Sequence, residues 1–185
     1  LEFRRVLFRS TSAVHIVTVQ NGKFDGAAVR VPFGSEWRYW SGVWGPGDDW
    51  AEPDYDDRRW PIARAQFGYG EGDEATWIPR GFIASASTYF RRTIEVPGVV
   101  RSARLHVLYD DGFLVFVNGV QVASEAVGSA AHFAWATAEN ENATAVVALP
   151  ASAFAPGRNV IAVVVKQHAF TSDDLSFDLA LDLEL

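Results

Sequence analysis

The sequence predicts an all-β protein, a jelly-roll β-sandwich of about eight antiparallel strands. Short runs of β-branched and aromatic residues recur through the second half of the chain, and tight-turn pairs such as Asn118-Gly119 separate them. No segment keeps the apolar periodicity of a helix over three turns. Hydrophobic residues make up 49% of the 185 positions, which is enough apolar material for one packed core.

Two segments precede the predicted sandwich. Residues 1–10 match the translated end of a common short-read sequencing adapter, so we expect them to be foreign to the protein. Residues 11–34 contain a β-branched run closed by Asn21-Gly22, which predicts a strand and linker left from a preceding β-domain. We therefore expect the sandwich to occupy residues 35–185 and the chain to be part of a longer protein.

The strands can be predicted in order along the chain. Residues 34–85 are rich in Trp, Gly, Pro and Asp, which predicts irregular wrapping. The eight strands follow at 88–96, 101–109, 113–117, 120–124, 132–138, 143–149, 159–167 and 176–183. In the first of them Arg91 and Arg92 face opposite sides, so we expect one guanidinium to pair internally with a carboxylate such as Asp57 or Asp110.

Composition and charge exclude several function classes. The net charge is -7 and the sequence pI about 5.0, so the protein repels nucleic-acid phosphates and anionic membrane surfaces. The absence of cysteine excludes disulfides, thiolate catalysis and Cys-ligated zinc. No histidine pair has zinc-ligand spacing, and no nucleophile elbow or phosphate-binding loop is present. We therefore expect no catalytic activity in this chain, although Glu71, Glu74, Asp110 and Asp111 supply carboxylates that a glycosidase would need.

A set of short motifs in fixed order distinguishes the region from about residue 35 to residue 183. They are Glu36-Trp37-Arg38-Tyr39, Asp56-Asp57-Arg58-Arg59-Trp60, Phe67-Gly68-Tyr69-Gly70, Thr88-Tyr89-Phe90-Arg91-Arg92, Tyr109-Asp110-Asp111-Gly112, Val117-Asn118-Gly119 and Ser172-Asp173-Asp174-Leu175-Ser176-Phe177-Asp178. Together they resemble the galactose-binding-like accessory domain of bacterial exported proteins, including calcineurin-like metallophosphoesterases and purple-acid-phosphatase-like proteins. More distantly, the chain is similar to the sugar-binding domain of β-galactosidases and β-glucuronidases.

The resemblance implies a non-catalytic module of a secreted or cell-surface bacterial protein, joined to a catalytic domain in the same parent chain. It also implies a possible carbohydrate ligand. One departure concerns the late strand, where the relatives carry Glu-Val-His-Gln. This chain has Val164-Val165-Lys166-Gln167 there, with His168 one position later, so no role for that histidine can be transferred.

Exposed aromatic rings are the first candidate site, because their faces stack on sugar rings. Trp44, Trp50, Tyr69 and Trp77 fall in predicted loops and are the candidate ligand-binding residues. The alternative is a purely structural module that packs against or spaces a catalytic domain, and in that case the same aromatic rings are buried. The two alternatives differ in the burial of Trp44, Trp50 and Trp77.

Acidic residues in the predicted loops are the second candidate site. Calcium prefers several oxygen ligands from clustered loops, and Asp48, Asp49, Asp173 and Asp174 could supply them for a structural calcium ion. Their spacing does not match an EF-hand loop, and a solvated acidic rim explains them equally simply. Asp110-Asp111-Gly112 is interpreted as a tight turn between core strands. No other cofactor is expected.

Overall fold

A computed structural model of the chain describes residues 28–79 and 85–185. These residues form twelve strands and one short 3-10 helix, η1 (Ala151–Ala153). The strands are β1 (Ala28–Val31), β2 (Glu36–Trp40), β3 (Ile62–Arg64), β4 (Phe67–Tyr69), β5 (Thr76–Trp77), β6 (Ser87–Val96), β7 (Ser102–Tyr109), β8 (Gly112–Val117), β9 (Val120–Glu125), β10 (Ala143–Leu149), β11 (Gly157–Lys166) and β12 (Leu175–Glu184). The all-β prediction is confirmed.

The strands form two six-stranded sheets. Sheet A has the order β10-β7-β12-β4-β5, and β1 pairs with β12 next to β4. Sheet B has the order β3-β2-β6-β11-β8-β9. All pairings are antiparallel except that of β4 with β5. Sheet B is centred on β11, whose run from Val160 to Val165 is buried on both faces, as a continuous apolar strand requires.

The main core lies between the two sheets. Phe90 of β6 stacks on Phe177 of β12 with ring centroids 4.0 Å apart, which joins sheet B to sheet A. Trp37 of β2 meets the edge of Phe177 at 5.5 Å and is 1% exposed. These large rings remove much apolar area from water, so the sandwich interface supplies most of the hydrophobic stabilisation.

A smaller core covers the outer face of sheet B. There the segment between β2 and β3 lays Trp50 and Trp60 over Tyr89, Leu114 and Val164. The segment is the irregular aromatic region predicted from the sequence, and its rings are used to cover a second apolar face of the sheet. The centre of sheet B is consequently buried on both sides, whereas a two-layer sandwich needs only one buried face per sheet.

Most strands after residue 85 lie within one or two residues of their predicted bounds, with one exception. The predicted strand at 132–138 does not form, because His132 and Phe133 pack in a loop instead. The five short strands from β1 to β5 were not predicted. β1 pairs with β12 in the sandwich, although the sequence groups residues 28–34 with the preceding segment. The predicted features at residues 1–10 and 11–20 lie outside the described residues.

Candidate functional site

Several loops meet at one end of the sandwich, which we call the loop end. The registers define it: Tyr109, the last residue of β7, faces Phe177 near the start of β12, and Lys166, the last residue of β11, faces Gly112 at the start of β8. The same end receives the start of β6 and the end of β2. The segments 41–49, 110–111, 126–142 and 167–174 therefore lie together.

An acidic cleft of about 120 Å³ opens at the loop end. Its walls come from three of these segments and are mostly polar, with residues Asp111, Glu139, Glu141, His168, Ala169, Thr171, Ser172, Asp173 and Asp174. Its five lining carboxylates come from three separate stretches of the chain, around residues 111, 139–141 and 173–174. Closure of the sandwich therefore concentrates negative charge that no single stretch of sequence displays.

Asp111 fixes the position of two loops around this cleft. Its carboxylate accepts hydrogen bonds from the backbone N–H groups of Asn140 at 2.9 Å and His168 at 2.6 Å. Its backbone carbonyl accepts from the Asn140 side-chain amide at 2.9 Å. The sequence interpretation of a tight turn is thus incomplete, since the side chain at this turn also organises segments 126–142 and 167–174.

Asp110 is the most deeply buried acid at the cleft, with 1% of its surface exposed. Its Oδ2 accepts a hydrogen bond from the Asn142 N–H at 3.1 Å, but its Oδ1 is buried without a hydrogen-bond partner. Burial, followed by the negative charge of Asp174, raises the pKa of Asp110 to about 8. The buried Asp110 carboxyl therefore has one oxygen, Oδ1, that accepts no hydrogen bond from the described residues.

Two groups of three carboxylates bring their oxygens within 4.8 Å of one another. One group is Asp110, Asp111 and Glu141, and the other is Glu71, Glu141 and Asp174. A hydrogen bond with Asp174, then burial, raises the pKa of Glu141 to about 7. None of the ion pairs formed within residues 28–79 and 85–185 involves these five acids, so no Lys or Arg side chain offsets their mutual repulsion there.

The calcium ligands predicted from sequence are only partly brought together. Asp173 and Asp174 line the acidic cleft, and Asp174 belongs to one carboxylate group. Asp48 and Asp49 belong to neither group and do not line the cleft, because they sit in the segment that covers sheet B. Residues that could hold a hard cation are therefore Asp110, Asp111 and Glu141, which the calcium prediction did not include, and the group of Glu71, Glu141 and Asp174, of which it included Asp174.

A pair of exposed aromatic rings, which we call the aromatic ridge, also lies at the loop end. Trp44 is 73% exposed and Phe133 is 58% exposed, and the two rings meet edge to face with centroids 5.8 Å apart. The backbone carbonyl of Trp44 accepts a hydrogen bond from the indole N–H of Trp40 at 2.9 Å. This bond fixes the loop that presents the Trp44 ring.

His132 supports the aromatic ridge from below. One ring nitrogen, Nε2, lies 2.9 Å from the Val43 carbonyl, and Nδ1 lies 3.0 Å from the Tyr89 hydroxyl. Burial lowers the pKa of His132, so the ring is neutral at pH 7. Because a carbonyl can only accept, Nε2 carries the proton and Nδ1 accepts from Tyr89. The histidine thereby ties the Trp44 loop and the Phe133 loop to β6.

A buried lysine holds the same loop. The Lys166 ammonium donates to the Ser87 hydroxyl and to the Ala131 carbonyl, each at 2.6 Å, and is fully shielded from solvent. Burial lowers its pKa to about 8. Lys166 stands on the late strand where the resembled family has a different residue, and here it anchors segment 126–142.

The other predicted aromatic residues differ in exposure. Trp50 is 6% exposed, with Tyr89 and Phe116 against its ring, so it is a core residue and offers no stacking face. Tyr69 and Trp77 lie in β4 and β5 rather than in loops. Tyr69 is half-buried, whereas Trp77 is 63% exposed on an edge strand of sheet A. Of the four candidates, only Trp44 belongs to the loop end and is solvent-open.

Sequence reasoning missed Phe133, His132 and Glu141. All three lie in segment 126–142, in which residues 132–138 were predicted as a strand. The signal that could have identified a loop is the composition of residues 126–131, where small and polar residues interrupt the apolar pattern before His132.

Comparison with known proteins finds similar regions within glycosidase chains. No protein-family model matches it. An α-L-rhamnosidase of Streptomyces avermitilis is 33% identical over 78 residues, which cover 42% of this chain and 7% of that enzyme. Among solved structures, a β-glucuronidase of an uncultured Clostridium species matches 90% of this chain with a TM-score of 0.56 and 9% identity. Bacteroides uniformis β-glucuronidase 2 matches 84% with a TM-score of 0.55 and 12% identity.

The matched regions are small parts of large enzymes. This chain covers 30% of the Clostridium β-glucuronidase and 18% of the Bacteroides uniformis enzyme. A β-glycosidase of Bacteroides vulgatus matches at a TM-score of 0.52 with 18% identity, and the chain covers 20% of it. At these identities the likeness establishes the fold, a β-sandwich that also occurs within glycosidase chains. No helix among the described residues has the length and apolar character needed to cross a membrane.

Proposed function

We propose that this chain is a non-catalytic accessory module of a larger exported glycosidase, and that it binds carbohydrate at the loop end. The observation that carries the proposal is the aromatic ridge: Trp44 and Phe133 leave large ring surfaces open to solvent on loops that Trp40, His132 and Lys166 hold in place. A rigid, exposed aromatic face beside polar groups is the arrangement on which sugar rings stack.

The neighbouring acidic cleft fits the same role. Carboxylates around it can accept hydrogen bonds from the hydroxyls of a sugar bound at the loop end. The comparisons support a parent enzyme that acts on glycosides, since the similar proteins are described as an α-L-rhamnosidase and β-glucuronidases. The alternative, that the parent enzyme is a phosphoesterase, is supported only by the resemblance of the sequence motifs.

A purely structural module is the second candidate function. The burial of Trp50 and Trp60 favours a structural module, because these rings pack against sheet B and are not available to bind a ligand. The same observation leaves Trp44 unexplained, since an indole 73% exposed contributes little to the packing of this domain. Carbohydrate binding accounts for that exposure and is therefore the function we propose.

The test is a glycan array followed by titration calorimetry with the best glycan, using rhamnose- and glucuronate-containing sugars among the probes. We expect the Trp44→Ala variant to weaken binding by about 10-fold or more, because loss of a stacking ring removes on the order of 1–2 kcal/mol. Trp77→Ala is the matched control, since it removes another exposed tryptophan, from the edge of sheet A, and it should bind as the wild type does.

Two results would contradict the proposal. Silence of the folded wild-type protein on the array would favour the structural module. Loss of binding in Trp77→Ala with retention in Trp44→Ala would move the site to the edge of sheet A.

A further inference from the structure

One carboxylate oxygen at the loop end, Oδ1 of Asp110, is buried without a hydrogen-bond partner in the described part of the chain. Asp110 Oδ1 is shielded from solvent and has no hydrogen-bond partner among the described residues, while Oδ2 of the same carboxylate accepts from Asn142. Burial without a donor or a cation disfavours the ionised form of this carboxylate, in keeping with the raised pKa of Asp110. A partner that supplies positive charge to this atom would favour the ionised form.

The neighbours of Asp110 provide ligand atoms rather than a countercharge. Oxygens of Asp110, Asp111 and Glu141 lie within 4.8 Å of one another, and the second group, Glu71, Glu141 and Asp174, adjoins them through Glu141. The two Asp111 oxygens each accept a backbone N–H, which holds the carboxylate in a fixed orientation and leaves lone pairs on both oxygens. Backbone bonds thus preorganise two of the three acids.

The donor set selects the class of ion. All candidate ligands are carboxylate oxygens, with no sulfur or imidazole in either group, which favours a hard cation over zinc. Calcium binds oxygens at about 2.3–2.6 Å in a flexible geometry, so ligand oxygens that lie within 4.8 Å of one another can all reach one ion. Magnesium needs about 2.0–2.1 Å and near-ideal octahedral geometry and usually keeps several of its waters, so a site supplied by several protein carboxylates favours calcium.

We propose that Asp110, Asp111 and Glu141 form a calcium site at the loop end. The ion takes Asp110 Oδ1 as a buried ligand and joins the turn at 110–111 to segment 126–142, with Asp174 and Glu71 completing the negative field around it. This ligand set differs from the one predicted from sequence, because Asp48 and Asp49 are excluded. The site stands independently of carbohydrate binding.

The experiment uses the whole chain, stripped of metal with EDTA and then dialysed. Calcium is titrated into it by isothermal calorimetry, and thermal unfolding is followed with calcium, with magnesium and without added metal. We expect one calcium ion per chain, a melting temperature that rises with calcium concentration, and a smaller response to magnesium. A wild-type protein that takes up no calcium at millimolar concentration would overturn the proposal.

Three variants locate the site. Asp110→Asn and Glu141→Gln should each weaken calcium binding by about 100-fold, because each removes one charged ligand. Glu141 is exposed, so its variant should fold even if the buried Asp110→Asn variant does not. The double variant Asp48→Asn, Asp49→Asn is the matched control and should bind as the wild type does. Calcium binding that survives both Asp110→Asn and Glu141→Gln would overturn the assignment.

The outcome can be separated from that of the proposed function. Glycan binding is measured in EDTA and in calcium, while calcium binding is measured without glycan. Calcium uptake by a protein that is silent on the glycan array would uphold the site and reject the carbohydrate proposal. Glycan binding by a protein that takes up no calcium would do the reverse.

Discussion

The buried guanidinium of Arg91 binds the segment between β2 and β3 to the outer face of sheet B. Arg91 is 1% exposed, pairs with Asp57 at 2.9 Å, and also donates to the backbone carbonyls of Trp50 and of Glu52. The pairing of one of two adjacent arginines with an internal carboxylate was predicted from strand alternation, and Asp57 is the partner. The sequence could not choose between Asp57 and Asp110, because that choice depends on which loop covers which sheet.

We expect Arg91→Lys to lower the free energy of unfolding by about 2–3 kcal/mol, because a lysine ammonium cannot reproduce the forked donors that reach three acceptors. The measurement is urea denaturation followed by tryptophan fluorescence. Arg58→Lys is the control: its ion pair with Asp56 is solvent-exposed, so the urea midpoint should not move. Equal shifts of the urea midpoint in both variants would show that the buried Arg91–Asp57 pair stabilises the protein no more than the exposed Arg58–Asp56 pair does.

Among the elements, β4 is short and depends on a close approach of two backbones. Gly68 pairs with Ser176 of β12, and a Cβ at Gly68 would fall inside van der Waals distance of the Leu175 carbonyl oxygen. A three-residue strand of this kind is specified by its partner rather than by local propensity. The sequence therefore does not predict the short strands β1 to β5. The longer strands β6, β7, β11 and β12 could be predicted from their own apolar patterns.

Gly68→Ala is expected to destabilise the protein by about 3 kcal/mol, since β4 must move away from β12 to admit the methyl group. Gly98→Ala is the matched control, because its Cβ would meet no atom within 4 Å. That variant should be as stable as the wild type or slightly more so. Thermal unfolding of the two variants side by side measures the difference, and an unchanged Gly68→Ala would contradict the close approach.

At the scale of the whole molecule, the candidate site is a product of sandwich closure. Asp110 and Glu141 are separated by about thirty positions of chain, and Glu71 and Asp174 come from other segments again. Sequence patterns draw attention to adjacent acids such as Asp48 and Asp49. They do not show the long-range strand pairings that bring distant turns together. Fold class was therefore predictable from local patterns, and most of the site was not.

Buried carboxylates also make the stability of the whole domain depend on pH. Asp178 is 7% exposed and accepts hydrogen bonds from the N–H groups of Gly34 and Leu179, yet burial raises its pKa to about 6. In the unfolded chain its pKa is about 3.9. The folded state therefore holds the proton more tightly, and the contribution present below pH 4 is lost as the pH rises through 6.

The Asp178→Asn variant lacks this ionisation. We expect its free energy of unfolding, relative to that of the wild type, to increase by about 2 kcal/mol between pH 4 and pH 7. Urea denaturation at each pH, with EDTA in the buffer, measures the difference. A difference that stays constant over this range would show that Asp178 ionises as easily in the folded state as in the unfolded chain.

The pairing of β1 with β12 gives the domain a polarity. Ala28 faces Glu184, so the first strand enters where the last strand leaves, and β12 runs about 30 Å from there to the loop end. Any neighbouring domain tethered before β1 or after β12 is attached at the base of the sandwich. The aromatic ridge and the acidic cleft therefore lie at the opposite end of the sandwich from both of these attachment points.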